Sequence, residues 1–355
     1  MERNVAVMLV GALMVLVAGA GPAAEKAAPA KPESAKAAKA EPAKAVKEAA
    51  PRAAEEPDDG IHGLYAGKVG GANTEMPWPI VAASAQVISQ GGGAYRVNLM
   101  DGGRKKAELA GKLEGGKVAL SGPGGEKGAI ENGKLTAEAA GAKFVLARTA
   151  PRSPAELQKP PPGAVVLLPY EPGKAPSLDE WTNGAWQASA DGSMTVAKGD
   201  NLTKRRFGDF QLHLEFRLPF EPQGKGQGRG NSGVYIFGLY EIQILDSFGV
   251  EPEVHQCGAV YTQTPPRQNA CFPPGCWQTY DITFRAPRFD ADGKKAADAA
   301  VTVVQNGVTV QDKTPVRGPT GAARGKPEVK SGQIRLQDHQ HPVKYRNVWI
   351  KELKD

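Results

Sequence analysis

The chain is poor in cysteine and histidine, with three and five of them. It has three cysteines, Cys257, Cys271 and Cys276, in no paired CxxC and with no spaced set of histidines, which argues against a zinc site. Lys and Arg exceed Asp and Glu by only six charges. No compact basic patch interleaves with aromatics, so nucleic-acid binding is not expected. The apolar run Val5 to Ala20 is shorter than the ~20 residues a spanning helix needs. The glycine-rich run 221–230, EPQGKGQGRG, has no GK[ST] before a helix, so it is a mobile rim rather than a phosphate loop. After residue 165 no long amphipathic helix pattern occurs, and strand spacing and turn chemistry indicate an all-β chain.

With 355 residues the chain is long enough for two domains beyond a leader. Residues 1–22 read as an export signal: Arg3, the apolar run, then small residues at Ala18-Gly19-Ala20 or Pro22-Ala23-Ala24. No cysteine follows that run, which argues against a lipoprotein. A periplasmic or extracellular location without stable membrane insertion is expected, an uncleaved anchor being the weaker alternative. Residues 23–58 are mostly Ala, Lys, Glu and Pro, interrupted at Pro29, Pro32, Pro42 and Pro51, and read as a disordered tether. In an exported protein two of the cysteines can pair; Cys257–Cys271 is favoured, tying loops that flank the Tyr261 strand, with Cys271–Cys276 as the rival.

Residues 59–149 repeat turn signals at Gly91-Gly92-Gly93, Gly102-Gly103, Gly115-Gly116, Gly124-Gly125 and Asn132-Gly133. LEGGKVAL (113–120) and IENGKLTA (130–137) form a weak repeat of hairpins, and the segment reads as a small β-meander. Trp78 and Tyr95 are either core residues, the favoured reading, or an aromatic ligand platform. Residues 150–164, with Pro160-Pro161-Pro162, form a stiff boundary before a larger domain at 165–355.

In that domain Phe210, Leu212, Leu214, Phe216 and Leu218 alternate with Gln211, His213, Glu215 and Arg217, the cleanest strand in the chain. The run NSGVYIFGLYEIQILDSFG (231–249) reads as two strands, with Glu241 and Gln243 opposite Ile242 and Ile244. Strict alternation puts Asp246 on the wrong side, so a β-bulge near Leu245 is required to bring it to Glu241. The alternative is that these polar residues are only the solvated face of a half-buried strand.

The runs GNSGVYIFGLYEIQILDSFG, CWQTYDITFRAPRFD, NGVTVQDKT and IRLQDHQHPVKYRNVWI resemble the 3-keto-disaccharide hydrolase domain family over about residues 165–355. The resemblance implies a concanavalin A-like jelly-roll sandwich, preceded here by the β-meander. It also implies 3-keto-glycoside lyase and 3-keto-2-hydroxy-glucal hydratase activity on a carbohydrate substrate. Glu215-Phe216-Arg217 matches the family's EFR run, and Gly258 to Thr262 its GA-x-Y strand. The spacing Glu241-x-Gln243-x-x-Asp246 also resembles the E-x-D-x-x-E strand of laminarinase-type hydrolases, but two of the three positions differ, which argues against an ordinary retaining mechanism.

A ketone at C3 acidifies the hydrogen on C2, so the chemistry needs a base, an acid and an electrophile for the enediolate. Glu241 or Asp246 is expected as base and acid, Gln243 as orienting group, Arg217 or Arg346 as electrophile and His339 as proton relay. Glu215, Asn231, Tyr261 and Gln337 complete the expected sugar contacts. A divalent ion held by Glu215, Asp338 and His339 is an alternative to the arginine, and His341 beside Pro342 is expected at the surface. The rival function is a non-catalytic, lectin-like module on the same fold; oligomeric state is left open.

Overall fold

The structure, a computed structural model, describes residues 54–70 and 83–354. The expected export signal, nearly all of the expected tether and Trp78 lie outside the described residues.

The expected meander closes on itself. Strands β1 (Gly63–Val69), β2 (Ala83–Ser89), β3 (Ala94–Asp101), β4 (Arg104–Glu114), β5 (Lys117–Ser121), β6 (Lys127–Glu131), β7 (Lys134–Ala139) and β8 (Ala142–Thr149) form a closed antiparallel barrel. Tyr65 of β1 pairs with Arg148 of β8, which removes both free edges. The Asn132-Gly133 turn places both residues at positive φ, the geometry a tight hairpin needs. In β7, Leu135, Ala137 and Ala139 point inward and alternate with exposed residues, as a half-buried strand requires. Tyr95 is a core residue, 3% exposed, and its hydroxyl donates to Asp59 at 2.9 Å. It is not a ligand platform.

The second half is a sandwich. Its main strands are β9 (Phe210–Arg217), β10 (Asn231–Ile236), β11 (Tyr240–Leu245), β12 (Trp277–Arg285), β13 (Ala299–Gln305), β14 (Val308–Val316), β15 (Ile334–Leu336) and β16 (Lys344–Glu352). The larger sheet runs β16-β9-β12-β13-β14, with short strands 187–188, 194–195 and 165–168 attached beside β16. The smaller sheet runs from short strand 201–202 through β15 and β10 to β11. Phe210, Leu212, Leu214 and Phe216 of β9 face a common core with Val234, Ile236, Ile242 and Ile244 of the smaller sheet. Each such buried side chain contributes roughly 1.5–3 kcal/mol. Among the described residues no helix is long and apolar enough to cross a membrane.

The middle of the other face of β9 is shut off from solvent, while Gln211 at one end is exposed and Arg217 at the other half-buried. His213 and Glu215 are fully buried there because the Pro-rich segment 150–164 is strapped across the sheet. Ser153 and Thr279 hydroxyls lie 2.6 Å apart, and the Leu157 amide donates to Glu215. The Gln158 carbonyl accepts from Asn347 at 3.0 Å and from the Trp349 indole at 3.3 Å. Glu215 also binds Arg346 Nε at 2.7 Å, and Arg346 lies 4.0 Å from the Trp277 ring centre. Burial works against the Glu215 carboxylate, but bonds from His213, Asn347 and Arg346 win and lower its pKa. Burial likewise opposes the His213 imidazolium, but Asp281, 2.7 Å away, and Glu215 raise its pKa.

Candidate functional site

The site is built on the face of the smaller sheet that points away from the shared core. Its register starts at the turn Ile236-Phe237-Gly238-Leu239, where the Leu239 amide returns to the Ile236 carbonyl at 3.0 Å. Phe237 (φ 60°) and Gly238 (φ 69°) both take positive φ within the three-residue connection 237–239 that joins Ile236 to its partner Tyr240. Such a φ is costly for a bulky residue. Phe237 is held by edge-on packing against Phe284, ring centres 5.2 Å apart. The turn sets Glu241 opposite Tyr235 and Gln243 opposite Gly233. On the other side of β10, Tyr235 pairs with Arg335. Glu241, Tyr235 and Arg335 thus form one row across three strands.

Within this row, Tyr235 hydrogen-bonds Glu241. The Arg335 guanidinium lies 3.7 Å from the Tyr235 ring centre and bonds Asp200 at 2.7 Å. In the next row Gly233 separates Gln243 from Gln337, whose amide N–H donates to the Gly233 carbonyl at 3.0 Å. A Cβ at Gly233 would lie 2.7 Å from Glu241 Oε1, so glycine keeps the floor clear. Gln227, from the glycine-rich loop, accepts from Gln243 Nε2 at 3.1 Å and from Asn231 Nδ2 at 2.7 Å (carbonyl) and 3.2 Å (side chain).

β11 is an edge strand, and its edge is covered. Thr320 Oγ1 accepts from the Glu241 amide at 2.8 Å, and the Tyr261 amide donates to the Glu241 carbonyl at 3.0 Å. Glu241 is 2% exposed. Burial raises its pKa to about 7 against the smaller opposing effects of the Tyr235 hydrogen bond and the Arg335 charge. A carboxyl poised there can exchange a proton near neutrality.

Five buried polar atoms on this face have no hydrogen-bond partner within the described residues: Asn231 Oδ1, Glu241 Oε2, Gln243 Oε1, Gln337 Oε1 and Arg335 Nε. Four are acceptors, and the amide nitrogens of Asn231, Gln243 and Gln337 are already engaged with Gln227 and Tyr235. Leaving such atoms unsatisfied is costly. A ligand rich in hydroxyl donors would satisfy them.

The structure thus gathers Glu241, Gln243, Asn231, Gln337 and Tyr261 and scatters the other expected members. No bulge forms at Leu245: β10 and β11 pair in unbroken register from Asn231↔Leu245 to Tyr235↔Glu241. Asp246 lies beyond the strand, 1% exposed in its side chain and 2.6 Å from Arg229 Nε. Arg217 meets Glu55 at 3.2 Å. Arg346 and Glu215 belong to the strapped face of the larger sheet, so neither arginine proposed for the enediolate reaches Glu241. A bulge does occur in the sandwich, but in β16, opposite His213 and Glu215, where Asn347 takes φ 47°. His339 is exposed and stacks on His341 at 5.8 Å. Partial loss of hydration and, after it, the His341 charge lower its pKa. His341 is buried rather than at the surface, held 2.6 Å from Glu221.

Among the described residues no group of three or more His, Cys, Asp or Glu side chains is placed to hold a metal ion. Glu215, engaged with Arg346, does not join Asp338 and His339. The three cysteines are unbridged. Cys257 lies 3.1 Å from the Tyr280 hydroxyl and accepts from Gln305 at 3.4 Å, while Cys271 donates to the Phe272 carbonyl at 3.4 Å. Both thiols have polar partners without a disulfide.

Sequence reasoning missed Tyr235, Arg335 and Gln227. Tyr235 and Arg335 carry a signal in hindsight: each sits on the same alternating face as a residue that was chosen, Glu241 or Gln337. Gln227 carries none, because its place depends on the path of a loop.

The sandwich thus carries one acid and several amides together on one sheet face, and its family is a carbohydrate-active one. Residues 164–351 match the model of the 3-keto-alpha-glucoside-1,2-lyase-like domain, and the chain belongs to that family. A crystal structure from Parabacteroides distasonis ATCC 8503, provisionally assigned as a glycosyl hydrolase, shares 39% identity over 54% of this chain and 85% of its own, with a TM-score of 0.48. A second from the same organism, assigned likewise, shares 19% identity over 54% of this chain and 95% of its own, with a TM-score of 0.40. A carbohydrate binding module from Bacillus subtilis shares 15% identity over 49% of this chain and 96% of its own, with a TM-score of 0.27. No curated protein matches the chain.

Proposed function

We propose that the chain is an exported enzyme that cleaves 3-keto-glycosides by elimination and hydration, on a jelly-roll of the concanavalin A type. The observation that carries this reading is the row Glu241–Tyr235–Arg335 set among four unpartnered acceptors and one unpartnered donor. Sugar hydroxyls suit the amide oxygens of Asn231, Gln243 and Gln337. Arg335 takes the role first assigned to Arg217 or Arg346.

The Glu241 carboxylate takes the proton from C2, and the C–H electrons form the enediolate with the C3 oxygen. Arg335, whose charge is held in place by Asp200 and the Tyr235 ring, stabilises that oxygen. The enediolate then collapses: the C3 ketone re-forms, C1 and C2 become doubly bonded, and the C1 substituent leaves with the proton Glu241 had taken. Water adds across the double bond, hydroxyl to C1 and hydrogen to C2, giving net hydrolysis. Tyr235, its pKa raised first by burial and then by Glu241, stays neutral and holds the carboxylate by hydrogen bond.

The test is incubation of the full chain with a 3-keto-glucoside and with the unoxidised glucoside. Loss of only the keto sugar is expected, with kcat/KM rising with pH through about 7 as Glu241 loses its proton. Binding of both sugars with consumption of neither would instead establish the lectin-like reading.

A further inference from the structure

We infer that the N-terminal barrel is a working part of the sandwich's site, because it clamps the glycine-rich loop that carries Gln227 into position. The inference rests on the reading of the Asn231–Gln243 face as the sugar site.

The contacts run without a break from barrel to site. Arg229, at the end of the loop, donates from Nη1 to the carbonyl of Ser89, the last residue of β2, at 3.2 Å. Its Nε holds Asp246 at 2.6 Å, and the Asp246 amide donates to the Gly230 carbonyl at 2.9 Å. The Gly230 amide in turn donates to Glu221 at 2.7 Å, so both ends of the loop are tied. Between those ends Gln227 contacts Asn231 and Gln243, two of the residues with unpartnered acceptors.

The barrel supplies further holds. Asn98 of β3 donates to the Gly249 carbonyl at 2.9 Å. His62 accepts from the Ser89 amide at 3.1 Å and packs against Phe220 and Phe248 of the sandwich, ring centres 5.0 and 5.6 Å away. The β2–β3 turn meets the loop at Gly91, where an added Cβ would touch only the tip of the exposed Gln223 side chain. A glycine-rich segment has high intrinsic freedom. Here a buried ion pair and a neighbouring barrel restrict it.

Arg229 is therefore a positioning residue, acting on the sugar through Gln227. Lysine can keep the charge opposite Asp246 but cannot reach both Asp246 and the Ser89 carbonyl as the guanidinium does through Nε and Nη1.

The test uses the full chain with Arg229→Met, Arg229→Lys and, as control, Gly103→Ala. Gly103 sits in another barrel turn at positive φ, with nothing within 4 Å of an added Cβ. Gly103→Ala therefore strains the barrel without touching the loop. Peptide-resolved hydrogen exchange should show residues 221–231 exchanging about tenfold faster in the first two variants, with β9 and β12 unchanged and Gly103→Ala like wild type. On a 3-keto-glucoside, kcat/KM of the folded protein should fall about 10- to 100-fold in those two variants. A purely structural role would lower Tm and leave kcat/KM of the folded fraction intact. Unchanged exchange over 221–231 in both variants overturns the clamp, as does faster exchange with undiminished kcat/KM. If wild type leaves the keto sugar intact, the substrate reading fails by itself, and the exchange comparison still decides the clamp.

Discussion

Replacing Glu241 by Gln should make the protein more stable and less active, and the stability gain should depend on pH. The carboxyl has a pKa of about 7 in the fold against an ordinary value of 4.5, because it is buried. Between those values the folded chain holds a proton that the unfolded chain has released, so stability falls as pH rises. The difference is about 2.5 units, and at ~1.36 kcal/mol per unit the loss reaches about 3 kcal/mol above pH 7. Gln cannot ionise but can still accept the Tyr235 hydrogen bond. Glu241→Gln should therefore match wild type at pH 4 and exceed it by up to about 3 kcal/mol at pH 8. In thermal melts that is a Tm rise of roughly 5 °C at pH 8 for a chain of this size. Turnover of a 3-keto-glucoside should fall about 10²- to 10⁴-fold, the range for loss of a general base. Equal destabilisation at both pH values would show that partners, not burial, govern this carboxyl. Undiminished turnover would remove it from the chemistry.

Two further substitutions separate site from scaffold. Gly233→Ala places a Cβ 2.7 Å from Glu241 Oε1; steady-state kinetics should show kcat/KM reduced about 10- to 100-fold, with a stability cost of about 1–3 kcal/mol. Arg346→Met leaves Glu215 buried without its guanidinium partner on the far face of the larger sheet; denaturant melts should show a loss of about 3–5 kcal/mol, while KM for the sugar stays as in wild type.

Much of the fold was legible because period and turn chemistry are local. The alternation at 210–218 becomes β9, and the Asn-Gly turns at 132–133 and 306–307 fall where strands reverse. Barrel closure was not legible, since it depends on β1 meeting β8 across some 80 residues of chain. The strap at 150–164 was hidden for a related reason. Proline-rich composition signals stiffness, but only the fold shows that Leu157 and Gln158 satisfy buried groups of β9 and β16. Once that strap is in place, His213, Glu215 and Arg346, which read as a ligand face, form a sealed ionic joint.

The error at Asp246 has the same root. Two carboxylates five residues apart invite pairing, and a bulge would have achieved it. Yet the Phe237-Gly238 turn fixes the hairpin register, and every pair from Tyr235↔Glu241 to Asn231↔Leu245 keeps it. Asp246 must then leave the strand on the side of Gly230, where Arg229 neutralises it. Glu241, with one oxygen unpartnered and its nearest cation across the Tyr235 ring, remains free to titrate near neutrality. Local spacing therefore nominates both acids, whereas cross-strand register separates the one suited to proton transfer from the one that ties a loop to the barrel.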